Sequence, residues 1–305
     1  MKKNRVYIAL ALLGVTIWGS TFVFTKFLLQ ILTPIQIMFA RYLIAYAALW
    51  IIYPRVHRPE GAKAELLYVL ASLTGSTFYF MAENTALSLT QASNVSLLIS
   101  AAPILTSVIA NSLTPDEKLE RRQLYGFVSA MAGIFLVVFN GHFVLKVSPK
   151  GDLLAVLAAF LWAFYCITLR KIKSPYKPVY LTRKMFFYSI VTMTPFLLLD
   201  RQFPTSDVLF QPWVWGSLLF LGLIASSLCY VLWYQVVAHL GAVRANNFVY
   251  LNPLVTMIFS VIFLHEQVSL LMLAGGVLIL LGVMIAEGTL GRKEALAGQE
   301  RKSSD

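Results

Sequence analysis

Apolar stretches recur along almost the whole chain, each close to the roughly 20 residues an α-helix needs to cross a hydrocarbon core about 30 Å thick. Of the 305 residues, 58% are hydrophobic and 13% are charged, whereas soluble domains carry roughly a quarter charged residues. That much apolar side chain does not fit inside one water-soluble core. The chain is therefore predicted to be an all-α polytopic membrane protein. Ten transmembrane helices are expected near 6–28, 34–53, 65–87, 92–112, 123–140, 151–170, 179–199, 212–237, 244–264 and 268–288. Short connections marked by Pro34, Pro54, Pro115, Gly141, Pro178 and Gly241 separate several of them.

The N-terminal Lys2, Lys3 and Arg5 before an apolar run resemble the start of a secretory signal. The run is too long for a signal core and has no clear small-residue cleavage site, so it is read as a retained first helix. Net charge of +11 could point to nucleic acid, but the positive residues sit in short loops. With the N-terminus inside, eighteen of the 25 Lys and Arg residues fall in cytoplasmic segments, and only Lys146, Lys150 and Arg201 fall outside. Positive residues gather on the cytoplasmic side, and one missed helix would invert the sidedness of everything after it. The charge thus reports a multi-pass cell-membrane topology with both termini cytoplasmic, and no nucleic-acid partner is expected. Cys166 and Cys229 fall inside apolar stretches without metal or redox spacing and are read as small core side chains.

The two halves of the chain correspond. Trp18 matches Trp162 and Pro34 matches Pro178 at an offset of 144, and Pro103 matches Pro253 at 150. Glu117, Gly126 and Gly133 match Glu266, Gly275 and Gly282 at 149. This divides the chain into a first five-helix repeat (1–141), a second (142–290) and a polar cytoplasmic tail (291–305). Five is odd, so the second repeat starts on the opposite side of the membrane. The repeats are inverted, as expected of a carrier whose two units exchange conformations.

Several motifs resemble a known family. The segment Trp18-Gly19-Ser20-Thr21-Phe22, then Phe39-Ala40-Arg41-Tyr42, Ala86-Leu87 before Ala92-Ser93 with Pro103, and the Glu117, Gly126, Gly133 run are similar to the EamA-type half of the drug/metabolite transporter superfamily. Asn252-Pro253, Glu266, Gly275 and Gly282 repeat the pattern, and the resemblance covers nearly all of 6–288. Arg41 has Met185 as its counterpart. The resemblance implies a ten-helix carrier, often an exporter of amino acids or related metabolites.

Ionisable residues inside membrane helices need partners or water. Arg183 and Lys184, near the cytoplasmic start of the seventh segment, are expected to snorkel. Arg41 and Glu83 lie at matching depths. They make either a structural ion pair, for whose carboxylate Lys26 competes, or a site in which Glu83 faces the substrate path to bind an amino group or carry a proton. Trp18 and Trp162 fall near the midplane, away from the interfaces where tryptophan usually gathers, as packing residues or as a stacking wall. Tyr79 precedes Glu83 by one turn, and Tyr230 and Tyr234 occupy the corresponding stretch of the eighth segment, with Trp233 pointing elsewhere. Pro103 and Pro253 are expected to kink segments four and nine, with Asn252 adding an amide at that depth. The candidate substrate-binding set is thus Trp18, Arg41, Tyr79, Glu83, Trp162, Tyr230, Tyr234 and Asn252.

Glu117 and Glu266 sit at helix ends and are read as structural, and His265 lacks further ligands, so no metal is expected. Small residues Gly151, Ala155, Ala159 and Ala163, and Gly126/Ala130 with Ser129/Gly133, allow close helix approach. Whether those seams lie within one chain or join two in a homodimer is open. No nucleotide motif appears, so no cofactor is expected, and gradients drive transport. The expected function is a secondary transporter of small metabolites such as amino acids, with the lipid bilayer and the substrate as partners. The alternative is a proton-coupled exporter of organic cations or drugs. An enzyme lacks its nucleophile motifs, and a channel lacks rings of like charge.

Overall fold

The computed structural model of the protein describes residues 2–90, 92–113, 120–139, 148–200, 211–264, 270–286 and 288. Glu117, His265 and Glu266 lie outside the described residues. The elements are α1 (Lys2–Leu28), α2 (Pro34–Ile52), α3 (62–89), α4 (Ala92–Ile99), α5 (Ala102–Leu113), α6 (Arg121–Phe139), α7 (Pro149–Lys171), α8 (Pro178–Leu199), α9 (Pro212–Leu240), α10 (Ala242–Asn247), α11 (Asn252–Leu264) and α12 (Leu270–Ala286). Among the described residues there is no strand. Four helices, Asn4–Leu28, Pro34–Ile52, Pro149–Lys171 and Pro212–Leu240, are long and apolar enough to cross a membrane.

Helix starts follow from local chemistry. Thr33 caps α2 through a reciprocal box with Gln36, and Pro34 supplies the first turn, where a missing N–H costs nothing. Ser148 caps α7 ahead of Pro149 by accepting the Gly151 N–H, without a reciprocal partner.

Two expected helices are broken instead of kinked. Segment four separates into α4 and α5 around Ser100 and Ala101, and segment nine separates into α10 and α11 through a 3₁₀ turn at Phe248–Leu251. Pro103 and Pro253 stand at the second position of the helix that resumes. A proline ring crowds the carbonyl four residues back, here that of Ile99 or Val249. The turn before it tightens to three-residue spacing: the Ala101 N–H donates to Leu98 O at 3.1 Å.

Two wide turns were not foreseen. α3 contains a π-turn at Leu73–Thr77 and α9 one at Phe220–Leu228. At the offset of 150 the first lies over 223–227, inside the second.

Packing between the halves is reciprocal. α1 packs on α9 and α11, whereas α7 packs on α3, α4 and α5. α2 lies along α8, and α6 along α12. The α6–α12 seam is made by glycines: a Cβ on Gly126 would stand 2.6 Å from Gly282 O, and one on Gly133 would stand 2.5 Å from Gly275 O. Each glycine faces the counterpart of the other. The small-residue seam that the sequence left open therefore closes within one chain. Ala155, Ala159 and Ala163 are fully buried on α7, and Gly151 meets Leu89 and Thr90 at the end of α3.

Gly133→Val is expected to lower stability by roughly 1–3 kcal/mol through overpacking. Gly216→Ala, with nothing within 4 Å of the added Cβ, is expected to leave the thermal midpoint in detergent unchanged. Equal midpoints for the two variants would refute the close-contact account of the seam.

Candidate functional site

A cavity of about 450 Å³, part of it open to solvent, lies where the two halves meet. That space is spread thinly between side chains and is not gathered into one open chamber. The first half contributes Trp18, Thr21, Phe22, Arg41, Tyr79, Phe80, Glu83 and Ile99; the second contributes Trp162, Tyr230, Val249 and Asn252. Ile99 and Val249 are the residues whose carbonyls the two prolines crowd, so both helix breaks face this cavity.

Aromatic side chains form the walls. The Trp18 and Trp162 rings meet edge to face, 5.2 Å between centroids at 89°. Tyr79 lies 5.3 Å from Trp162, and Tyr230 lies 5.7 Å from Trp18. Trp233 does not point elsewhere: its ring lies 5.0 Å from Trp18 and supports the wall from behind. Tyr230 and Trp233 stand three residues apart in the regular helix that follows the π-turn, a spacing that puts both on one face.

Four polar tips among the aromatics have partners. Trp18 Nε1 donates to Ala225 O at 2.8 Å, and the Tyr230 hydroxyl donates to Gly75 O at 2.7 Å. Both acceptors are carbonyls within the π-turns and are counterparts of each other at offset 150. Tyr42 donates to the Tyr230 hydroxyl at 3.1 Å. Trp162 Nε1 donates to Asn246 Oδ1 at 2.9 Å, and Asn246 Nδ2 donates to Thr106 Oγ1 at 3.0 Å. Asn246 thereby ties α10 to α5 and fixes the Trp162 indole. The sequence reading passed over it, although its place one turn before Val249 carried the signal.

The two charges differ in how they are held. Arg41 is 1% exposed, donates from Nε to Ser226 Oγ at 3.0 Å, and lies 4.2 Å over the Phe80 ring. Glu83 is 6% exposed, and its Oε2 has no hydrogen-bond partner. Among the described residues no ion pair joins the two, so the structural-pair alternative is corrected. Lys26 does not compete for the carboxylate either. Its Nζ donates to Leu87 O at 2.6 Å and Thr90 O at 3.3 Å, satisfying the last carbonyls of α3. Asn252 Oδ1 is a second buried acceptor without a partner.

Tyr234 stands apart from the cavity. It is buried, and its hydroxyl lies 3.5 Å from Ile172 O, at the end where the loop after α2 meets α8. One turn beyond Tyr230, the helix has already carried it past the lining.

That end of the molecule is closed. The Arg183 guanidinium donates to the carbonyls of Tyr53 and Arg55, the latter at 2.6 Å, and stacks 4.1 Å over Trp50. Lys184 pairs with Glu65, which also accepts the Tyr188 hydroxyl at 2.6 Å. His57 stacks on Tyr176 at 4.2 Å, and its carbonyl accepts the Tyr180 hydroxyl at 3.2 Å. Arg183 and Lys184 thus bind the first half to the second instead of snorkelling. The sequence reading gave Glu65 and His57 no role.

Comparison with known proteins follows this geometry. The EamA-like transporter family profile matches twice, at residues 5–139 and 149–287. The chain belongs to the EamA-like transporter family. An uncharacterized transporter of Archaeoglobus fulgidus is 30% identical over 291 residues, covering 93% of this chain and 96% of that one. A probable amino-acid metabolite efflux pump of Salmonella typhimurium is 26% identical, covering 90% and 93%. A solved crystal structure matches with a TM-score of 0.73 at 17% identity over 95% of this chain, a likeness of fold alone. Membership and the apolar helices make this EamA-like protein a multi-pass membrane transporter.

Arg183→Met removes charged hydrogen bonds worth about 1.5–3 kcal/mol each from the carbonyls of Tyr53 and Arg55. It is expected to lower the thermal midpoint clearly, whereas Tyr234→Phe is expected to leave ligand binding unchanged. A Tyr234→Phe effect on affinity as large as that of Tyr230→Phe would place the site elsewhere.

Proposed function

We propose that the protein is a secondary carrier of small amphipathic metabolites, amino acids foremost, working by alternating access across the cell membrane. Ten membrane-spanning segments form two inverted five-helix repeats, with both termini cytoplasmic. The reciprocal packing supports this arrangement, since equivalent helices meet equivalent helices and each seam glycine faces the counterpart of the other glycine on its own helix. An isologous pair of units can adopt each other's conformations at similar energy. A closed end beside His57 and a cavity near mid-depth are what one extreme of such a cycle requires.

The observation that carries the substrate assignment is the separation of charge. Arg41 and Glu83 both face one aromatic cavity and do not pair with each other. A zwitterion with an apolar side chain supplies what is missing: an ammonium for Glu83 Oε2 and a carboxylate for the guanidinium. Stacking on Trp18, Trp162 and Tyr79 accommodates the apolar part. The name of the Salmonella relative points the same way. The unpartnered Glu83 oxygen also favours the second reading, an exporter of organic cations in which this carboxylate alternately holds a proton and the cation.

The test is counterflow in proteoliposomes loaded with unlabelled amino acids or organic amines, followed with labelled partners at two pH values. Amino acids are expected to exchange. Loss of one charged hydrogen bond corresponds to roughly a 10- to 100-fold weaker interaction, and this is the loss expected from Glu83→Gln for every ammonium substrate. Arg41→Met is expected to impair amino acids while sparing amines that lack a carboxylate. Exchange of amines alone would favour the cation reading, and no counterflow by a folded protein would sink both.

A further inference from the structure

Ser96 lies on α4, one turn before the cavity residue Ile99. It is 3% exposed, and its hydroxyl has no hydrogen-bond partner. A buried hydroxyl in that state is uncommon and asks for a cause. At the offset of 150 that relates Pro103 to Pro253, the counterpart of Ser96 is Asn246. Asn246 is engaged, accepting the Trp162 indole N–H at 2.9 Å.

The two central tryptophans are counterparts, yet they donate to different kinds of acceptor. Trp162 uses a side chain on the broken helix, Asn246. Trp18 uses a π-turn carbonyl, that of Ala225, at 2.8 Å. Each acceptor has a counterpart in the other half: Ser96 for Asn246, and Gly75 for Ala225. Ser96 is the one without a bond. Gly75 O already takes the Tyr230 hydroxyl at 2.7 Å, and a carbonyl has a second lone pair.

We propose that Ser96 is a positioning residue for transport: it is the acceptor that the Trp18 indole takes when the carrier faces the other way. The proposal rests on the inverted-repeat carrier reading. In the opposite state each half adopts the present conformation of the other. Trp18 then moves from Ala225 O to Ser96 Oγ, and Trp162 moves from Asn246 Oδ1 to Gly75 O. A serine hydroxyl accepts as readily as an amide oxygen, and α1 and α4 are already neighbours. The cavity wall is thus held by one indole bond to a broken helix in each state, and the bond changes sides as the halves rock. Ser96 is idle here because this is the state in which Asn246 works.

The consequence is an asymmetry that a merely structural serine would not give. Ser96→Ala removes nothing from the present state and weakens the other, whereas Asn246→Ala does the reverse. Spin labels at Val56 and Lys173, both exposed and flanking the closed end on opposite halves, report its opening by pulsed dipolar distance measurement in nanodiscs without substrate. Cys166 and Cys229 are buried, which favours labelling at the introduced sites. Wild type is expected to show a short and a long distance. Ser96→Ala is expected to deplete the long population several-fold, Asn246→Ala to enrich it, and Ser96→Asn, which copies the acceptor of the second half, to retain or enrich it. Two wild-type populations that Ser96→Ala leaves unchanged would overturn the switch and leave the carrier reading standing. A single distance in the wild type and in every variant would overturn the carrier reading on which the switch depends.

Discussion

In a bilayer no water stands ready to satisfy an opened backbone hydrogen bond, so a helix can depart from its regular ladder only where protein groups take over the freed carbonyls. This constraint orders the molecule. Two π-turns and two proline-linked breaks interrupt the helices; the breaks reach the cavity at Ile99, Val249 and Asn252, and the π-turns hold its aromatic walls from behind. Gly75 and Ala225, inside the π-turns, receive the Tyr230 hydroxyl and the Trp18 indole. The aromatic walls are therefore also the groups that make irregular backbone tolerable there, and a side chain removed from the wall leaves a carbonyl unpaired beside it.

The periphery answers a different demand. Along the α6–α12 seam the helices gain nothing from excluding lipid, since lipid is as apolar as they are, and must rely on close van der Waals contact. Glycine at four facing positions brings backbone within reach of backbone. A close-packed seam thus lies on one flank and broken helices at the centre. The contacts of Arg183, Lys184 and His57 tie the halves at one end through polar groups instead of backbone contact.

Much of this was legible in the sequence, because the signals were of the kinds that sequence carries well. Hydropathy locates spanning segments, since lipid demands roughly 20 apolar residues in a row. The matched tryptophans, prolines and glycines reveal the duplication, since each is held by backbone geometry. What escaped were properties of spatial approach. Trp233 was assigned to another face although it stands three residues after Tyr230 in regular helix, within reach of Trp18 on a neighbouring helix. Lys26 and Arg183 were read by depth alone, whereas both find carbonyls at the ends of neighbouring helices. Asn246 and Ser96 carry no motif, and only the register between halves makes them a pair.

The symmetry that organises the backbone does not extend to the chemistry. At the same offsets, Arg41 corresponds to Met185, Glu83 to Trp233 and Phe80 to Tyr230. The first half supplies both charges of the cavity, and the second supplies much of its aromatic framework. Two equivalent charged pockets would divide a ligand between alternative poses, and both would have to be desolvated in turn. A single pair of charges on one half avoids that division. The backbone motif is thus repeated along the chain, whereas both charges of the cavity stand on one half alone.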